Sequence, residues 1–290
     1  MAPRTRRRDA AAAVPELADA VLAQWQKIVD VVAVLPDDAL AAPSVLPGWT
    51  TADLVMHVAR SATAVTEALA EVLPGTAPAA ARLPAGPAGR PVPATDYLSG
   101  TGVRAEEVAG TARRLATAVG EAEARPRLAA EVATARAALA RLAGPGPLPG
   151  PGPGPDLEIS TDPLVMTPGG PMVMTEFLRT RAVEAVVHGL DLGVEPERPA
   201  LRLATRLVAE LFAARVPGHA VELRVPPFAA VQIVAGPRHT RGTPPNVVEA
   251  GPVPFLLVCA GRLAWAEAVA DGRITASGER ADLSEHLPLL

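Results

Sequence analysis

Four residues of one short segment, Arg181, Glu184, His188 and Asp191, recur at spacings of three, four and three. On a helix this spacing lines them along one polar stripe. The rest of the circumference, with Val183, Val186, Val187 and Leu190, is apolar. A helix apolar nearly all round is buried, so the stripe is expected to be buried with it. Burying a glutamate and a histidine is costly unless they are paired or bound to a cation. Glu184 and His188, at i and i+4, can place a carboxylate oxygen and an imidazole nitrogen on one ion. His57, within the apolar stretch Asp53-Leu54-Val55-Met56-His57-Val58-Ala59, is the natural third ligand. Two histidines and a glutamate suit Zn²⁺ first and other first-row metals second, and three protein ligands leave a coordination position open.

The same residues have a plainer reading. Glu184 can pair with Arg181 one turn earlier, His188 can donate to Asp191, and a lone helical His57 can be structural. Asp53 reads as a helix-start residue rather than a ligand. His219 and His239 lie in Pro/Gly-rich stretches and His286 near the end, none with a partner at ligand spacing. No HExxH, phosphate-cradling glycine loop or G-x-S-x-G is present.

The elements that must position these residues can be read from the pattern. Residues 15 to 35 read as a first helix, with Leu17, Val21, Trp25, Ile28 and Val32 on one face. Thr50, with Asp53 three residues on, opens a second helix in a capping-box arrangement, running to about Leu73. A Pro/Ala/Gly loop spans 74 to 94, and a long helical region covers 95 to 142, with an interruption expected near Gly120 or Pro126. Residues 144 to 155 alternate Gly and Pro and form a low-complexity loop inside the domain. Met172 to Val194 is the fourth principal helix, so a four-helix bundle is expected over 15–195, after a disordered basic start over 1–14. Residues 196–290 change character: a helix at 200–216, strands at 221–225, 229–234 and 246–249, a helix at 254–270 and a last strand at 274–277. That is a small α+β domain, making the fold class α plus α+β.

Composition narrows the function classes. The chain has 290 residues and a net charge of −4, with only 3% aromatics, so nucleic acid is not an expected partner. One cysteine, Cys259, excludes an intrachain disulfide and sits in an apolar run, where a buried inert thiol is expected. Arg4, Arg6, Arg7 and Arg8 resemble a secretion start, but Asp9, Pro15, Glu16 and Asp19 interrupt the apolar run that such a start requires. No run reaches the ~18 apolar residues of a membrane span. A cytoplasmic protein without stable membrane insertion is expected.

The segment from Leu46 to Ala59, LPGWTTADLVMHVA, closely resembles the first motif of the mycothiol-dependent maleylpyruvate isomerase family, and Glu184-x-x-x-His188-Gly-Leu-Asp191 resembles its second. The resemblance implies a DinB-like four-helix bundle in which His57, Glu184 and His188 bind a divalent metal, usually zinc. It also implies mycothiol as cosubstrate, its thiol held as the nucleophilic thiolate. Arg181 and Asp191 would orient the ligands. An arginine from the C-terminal domain is implied near the metal, but no motif marks it here. Residues 225–232 (VPPFAAVQ), 272–284 (GRITASGERADLS) and 287–290 (LPLL) resemble a bacterial sterol-carrier-like domain; Arg280 and Asp282 there read as a surface pair and a helix cap with Glu285. The expected function is a metal-dependent, mycothiol-using thiol transferase or isomerase acting on a small electrophile. The alternative is a sterol-carrier-like protein binding an apolar ligand, with a structural or vestigial metal site.

Overall fold

The computed structural model describes residues 5–73, 90–100, 120–143, 162–236 and 245–290 and parts of 101–119, with the backbone alone over 5–13. Residues 1–4, most of the 74–94 loop, the Gly/Pro tract at 144–155 and His239 lie outside the described residues.

Among the described residues four long helices form the N-terminal bundle: α1 (Thr5–Ala33), α3 (Thr51–Ala70), α5 (Ala124–Ala143) and α6 (Met174–Asp191). Short helices α2 (Asp37–Ala41) and α4 (Ala94–Ser99) lie between them. α1 starts at Thr5 rather than near residue 15, over a run of Arg and Ala that favours helix. Its apolar face buries Val21, Trp25, Ile28 and Val32, packing on α5 and α6, while α3 packs on the same two helices. The long helical region breaks after α4 at Gly100 as well as at Gly120; Pro126 is accommodated in the first turn of α5.

A hairpin that alternation did not reveal, β1 (Leu164–Thr167) with β2 (Gly170–Val173), runs straight into α6. Asp162 accepts from the Thr175 backbone N–H at 2.9 Å and fixes the start of that helix.

The C-terminal unit begins with α7 (Arg198–Arg215), which lies against both α6 and a four-stranded sheet. Strands β3 (Pro217–Val225), β4 (Ala229–Ile233), β5 (Val247–Ala250) and β6 (Ile274–Ser277) take the order β4-β3-β5-β6, with β3 and β5 parallel and the other pairs antiparallel. The single helix expected over 254–270 is two, α8 (Pro252–Cys259) and α9 (Trp265–Ala270). Leu207, Leu211 and Phe212 of α7 join the bundle's buried residues to Leu223, Val248 and Phe255 in one continuous core, so the two sequence units share a hydrophobic interior.

Candidate metal centre

Thr50 and Asp53 exchange the expected pair of bonds: the Asp53 N–H donates to Thr50 Oγ1 at 3.1 Å, and the Thr50 N–H to Asp53 Oδ2 at 2.8 Å. This capping box starts α3 two turns before His57 and sets the rotation of the helix. The preceding turn presents Trp49 edge-on to His57, ring centroids 5.6 Å apart.

On α6, Glu184 and His188 face His57. His57 Nε2 and His188 Nε2 lie 3.2 and 3.4 Å from the same oxygen, Glu184 Oε2, and one ligand atom from each residue falls within 4.8 Å of the others. Tetrahedral zinc with bonds of ~2.0–2.1 Å separates its ligand atoms by about 3.3 Å, so the donor types and their separations fit such an ion. All three side chains are largely buried, at 14% to 20% exposed.

Asp191 accepts from His188 Nδ1 at 3.0 Å, which turns Nε2 toward Glu184, as carboxylate–histidine pairs do at metal sites. Asp191 is itself gripped by Arg262, whose Nε and Nη2 donate to its two oxygens at 2.9 and 3.1 Å. Both residues stand at helix ends of one type. After α6, the Val194 N–H bonds the Gly189 carbonyl and the Gly193 N–H that of Leu190. After α8, the Arg262 N–H bonds the Leu257 carbonyl and the Gly261 N–H that of Val258. These are Schellman closures, which need the left-handed backbone seen at Gly193 (φ 74°) and Gly261 (φ 68°). The second closure ends the helix and delivers Arg262 to the site. Arg262 is thus an arginine of the C-terminal unit at the wall of the site, unmarked by any motif; Gly261, with the interrupted pattern at Arg262, was the available signal.

Arg181 does not contact the ligand atoms by hydrogen bond. It is buried and donates to Ser61 Oγ and Thr180 Oγ1, each at 3.2 Å, and its guanidinium lies 4.9 Å from the Phe177 ring centre. The pairing of Glu184 with Arg181 that spacing allowed is therefore not formed, whereas that of His188 with Asp191 is.

The electrostatics follow from burial and these partners. Burial works against the Glu184 carboxylate, but the bonds to His188 and His57 and the charge of Arg181 hold it well below its ordinary range. Burial lowers His57 below 6.5, aided by the positive charge of His188 and Arg181 and opposed by Glu184. Burial opposes the charge on His188 as well, yet Asp191 and Glu184 raise it to about 9. One histidine is thus a ready neutral ligand and the other gives up a proton on binding a cation.

The centre opens into a cavity of about 500 Å³ walled by both units of the chain: Trp49 and Ser61 from the bundle side, Ala260, Arg262 and Leu290 from the other. The remaining candidates lie elsewhere. His219 bonds Gln232 Oε1 at 3.0 Å, and His286 neighbours Glu285. Cys259 is buried, and burial alone pushes its thiol pKa up. Arg280 donates to the Ala235 carbonyl rather than to Asp282, whose carboxylate accepts from the Ser284 N–H at the start of the terminal turn, as a cap does, without a reciprocal bond from Glu285.

Comparison with known proteins agrees with this architecture. The family model for the mycothiol maleylpyruvate isomerase N-terminal domain matches residues 21–193, and that for the bacterial SCP ortholog matches 197–289. Two crystal structures of the mycothiol-dependent maleylpyruvate isomerase, one of a histidine-to-alanine mutant, align at 17% identity. Each alignment covers 93% of this chain and 94% of the other with a TM-score of 0.59, a likeness of fold. No curated protein sequence matches the chain. With its bundle matched over residues 21–193, the chain belongs to the mycothiol maleylpyruvate isomerase N-terminal domain family, joined to a bacterial SCP-type domain.

Proposed function

We propose that this protein is a metal-dependent isomerase that uses mycothiol as cosubstrate on a small electrophile. The observation that carries the reading is the convergence of His57, Glu184 and His188 at the wall of a 500 Å³ cavity closed by both units. A zinc ion held by the three would supply Lewis acidity and keep a bound thiol as the thiolate at neutral pH. The chain's own residues do the rest. Asp191 fixes the imidazole of His188, Arg262 holds Asp191 in place, and Trp49 and Leu46 exclude water from one side of the site. A free-thiol cosubstrate fits a cytoplasmic setting.

The carrier reading fares worse on volume. The hollow lined by Phe212, Leu223, Phe255 and Trp265 inside the C-terminal unit is only about 10 Å³, against the ~300 Å³ or more that small-molecule pockets need. Among the described residues no helix is long and apolar enough to cross a membrane.

Metal analysis of the purified protein tests the assignment. The expected result is about one equivalent of zinc in wild type and near none in His57→Ala. Full metal retention by His57→Ala refutes the ligand set. Thermal stabilisation of the zinc-loaded protein by mycothiol, and not by a lipid panel, supports the enzyme; the reverse pattern supports the carrier.

A further inference from the structure

Arg215, exposed at the end of α7, holds two main-chain carbonyls: Nη1 donates to Leu289 at 2.6 Å and Nη2 to Ser99 at 3.3 Å. A plain helix-end role would stop at Ser99, the last residue of α4, whose carbonyl an α-helix cannot satisfy by itself. The bond to Leu289 carries further. It is partly buried, where a carbonyl that loses its donor is costly. The N–H groups of Leu289 and Leu290 both donate to the Cys259 carbonyl at the end of α8, at 2.8 and 3.1 Å. A Cβ on Gly261 would lie 3.4 Å from Pro288 Cβ, so the proline ring rests on that glycine. The Ala260 carbonyl between them accepts from Arg262 Nη1 at 2.7 Å, while Arg262 Nε and Nη2 reach Asp191. Residues 287–290 therefore lie against the turn from which Arg262 projects, and Arg215 holds them there.

We propose that Arg215 is a positioning residue for the centre: through residues 287–290 it fixes the Gly261–Arg262 turn and so keeps the Arg262 guanidinium on Asp191. It acts at a distance, because it bonds neither Asp191 nor any of the three candidate ligands. Its two carbonyls belong to different units, Ser99 to the bundle side and Leu289 to the other, so one guanidinium closes the seam between them. The Asp191–Arg262 pair closes the same seam at the site itself. Leu98 and Leu290, each next to a carbonyl that Arg215 holds, stand on the cavity wall between these two clasps. The pairing of β5 with β6 involves none of these bonds, so loss of Arg215 is expected to loosen the turn and leave the sheet intact. The consequence for zinc rests on reading the centre as a metal site; the consequence for Arg262 does not.

Residue-resolved hydrogen exchange on chelator-stripped protein tests the relay. Arg215→Met is expected to speed exchange about tenfold at the amides of Gly261, Arg262, Leu289 and Leu290, with those of β5 and β6 unchanged. Arg215→Lys, which keeps the charge but loses the fork, should fall between. Competition against chelator-buffered zinc adds a readout that a merely structural clasp would not move. Affinity should fall about three- to tenfold in Arg215→Met, less than for a residue bonded directly to a ligand. Adding Arg215→Met to Arg262→Met should cause no further fall, because the relay ends at Arg262. Exchange at Gly261 and Arg262 that stays as in wild type, or rises no more than in β5 and β6, overturns the proposal. So does unchanged zinc affinity in folded Arg215→Met, or a loss that persists in full beside Arg262→Met. If Arg215→Met fails to fold, exchange in Arg215→Lys decides it by the same criterion. A protein that takes up no zinc refutes the metal reading, and the exchange data then decide the relay alone.

Discussion

Metal uptake at this centre is expected to be coupled to one proton, and the structure says which. In the metal-free protein Asp191 and Glu184, against the pull of burial, hold the His188 proton to about pH 9, and a cation at Nε2 must displace it. Apparent affinity therefore falls about tenfold for each pH unit below 9. At pH 7, two units down, the penalty is on the order of a hundredfold. His57, lowered below 6.5, and Glu184, ionised throughout, add no proton in this range. Competition against chelator-buffered zinc from pH 6.5 to 9.5 should give a slope near one that flattens around pH 9. Calorimetry in two buffers of different ionisation heat should find close to one proton released at pH 7. Asp191→Asn moves the break toward pH 6.5 and lowers the plateau about 10- to 100-fold, so its loss is larger at pH 9 than at pH 7. An affinity that stays flat between pH 7 and 9, with no proton released, refutes the reasoning.

Other outcomes rest on the same contacts. The folded pKa of His188 lies above its unfolded value, so its stabilisation of metal-free protein is complete below pH 6.5 and lost as pH rises through 9; melting temperatures of stripped protein should fall across that window, and less so in Asp191→Asn. Arg262→Met leaves the Asp191 carboxylate, 1% exposed, without its bidentate partner, and should cost about 2 kcal/mol by denaturant titration while zinc stoichiometry stays near one. Gly261→Ala forces a left-handed alanine and should cost about 1–2 kcal/mol, with mycothiol-dependent turnover falling because Arg262 shifts. Cys259, buried and reluctant to ionise, should resist alkylation by iodoacetamide until the chain is unfolded.

The bundle and the meeting of His57, Glu184 and His188 were legible because their signals are local. The stripe on α6 is written in spacings of three and four, and the start of α3 in Thr50 and Asp53, whose bonds form as the capping-box pattern predicts. What escaped depends on distant partners or on single glycines. The β1–β2 hairpin is four residues a side with little alternation. The end of α8 turns on Gly261, which an apolar run from 254 to 270 hides. Arg181 illustrates the limit most clearly: spacing offered Glu184 as its partner, while the fold gives it Ser61 from α3 instead, because a guanidinium on a long stem reaches across to the neighbouring helix.

One carboxylate, Asp191, serves two masters. It bonds the His188 imidazole on the bundle and anchors an arginine of the C-terminal unit. Linkage then runs both ways: whatever free energy the docked arginine adds to zinc affinity, bound zinc adds to the docking of that unit. Stripping the metal should therefore increase amide exchange at residues 260–264 as well as at the site. A graft of a foreign C-terminal unit onto this bundle would inherit a weakened metal centre unless it carried an arginine at the same helix end.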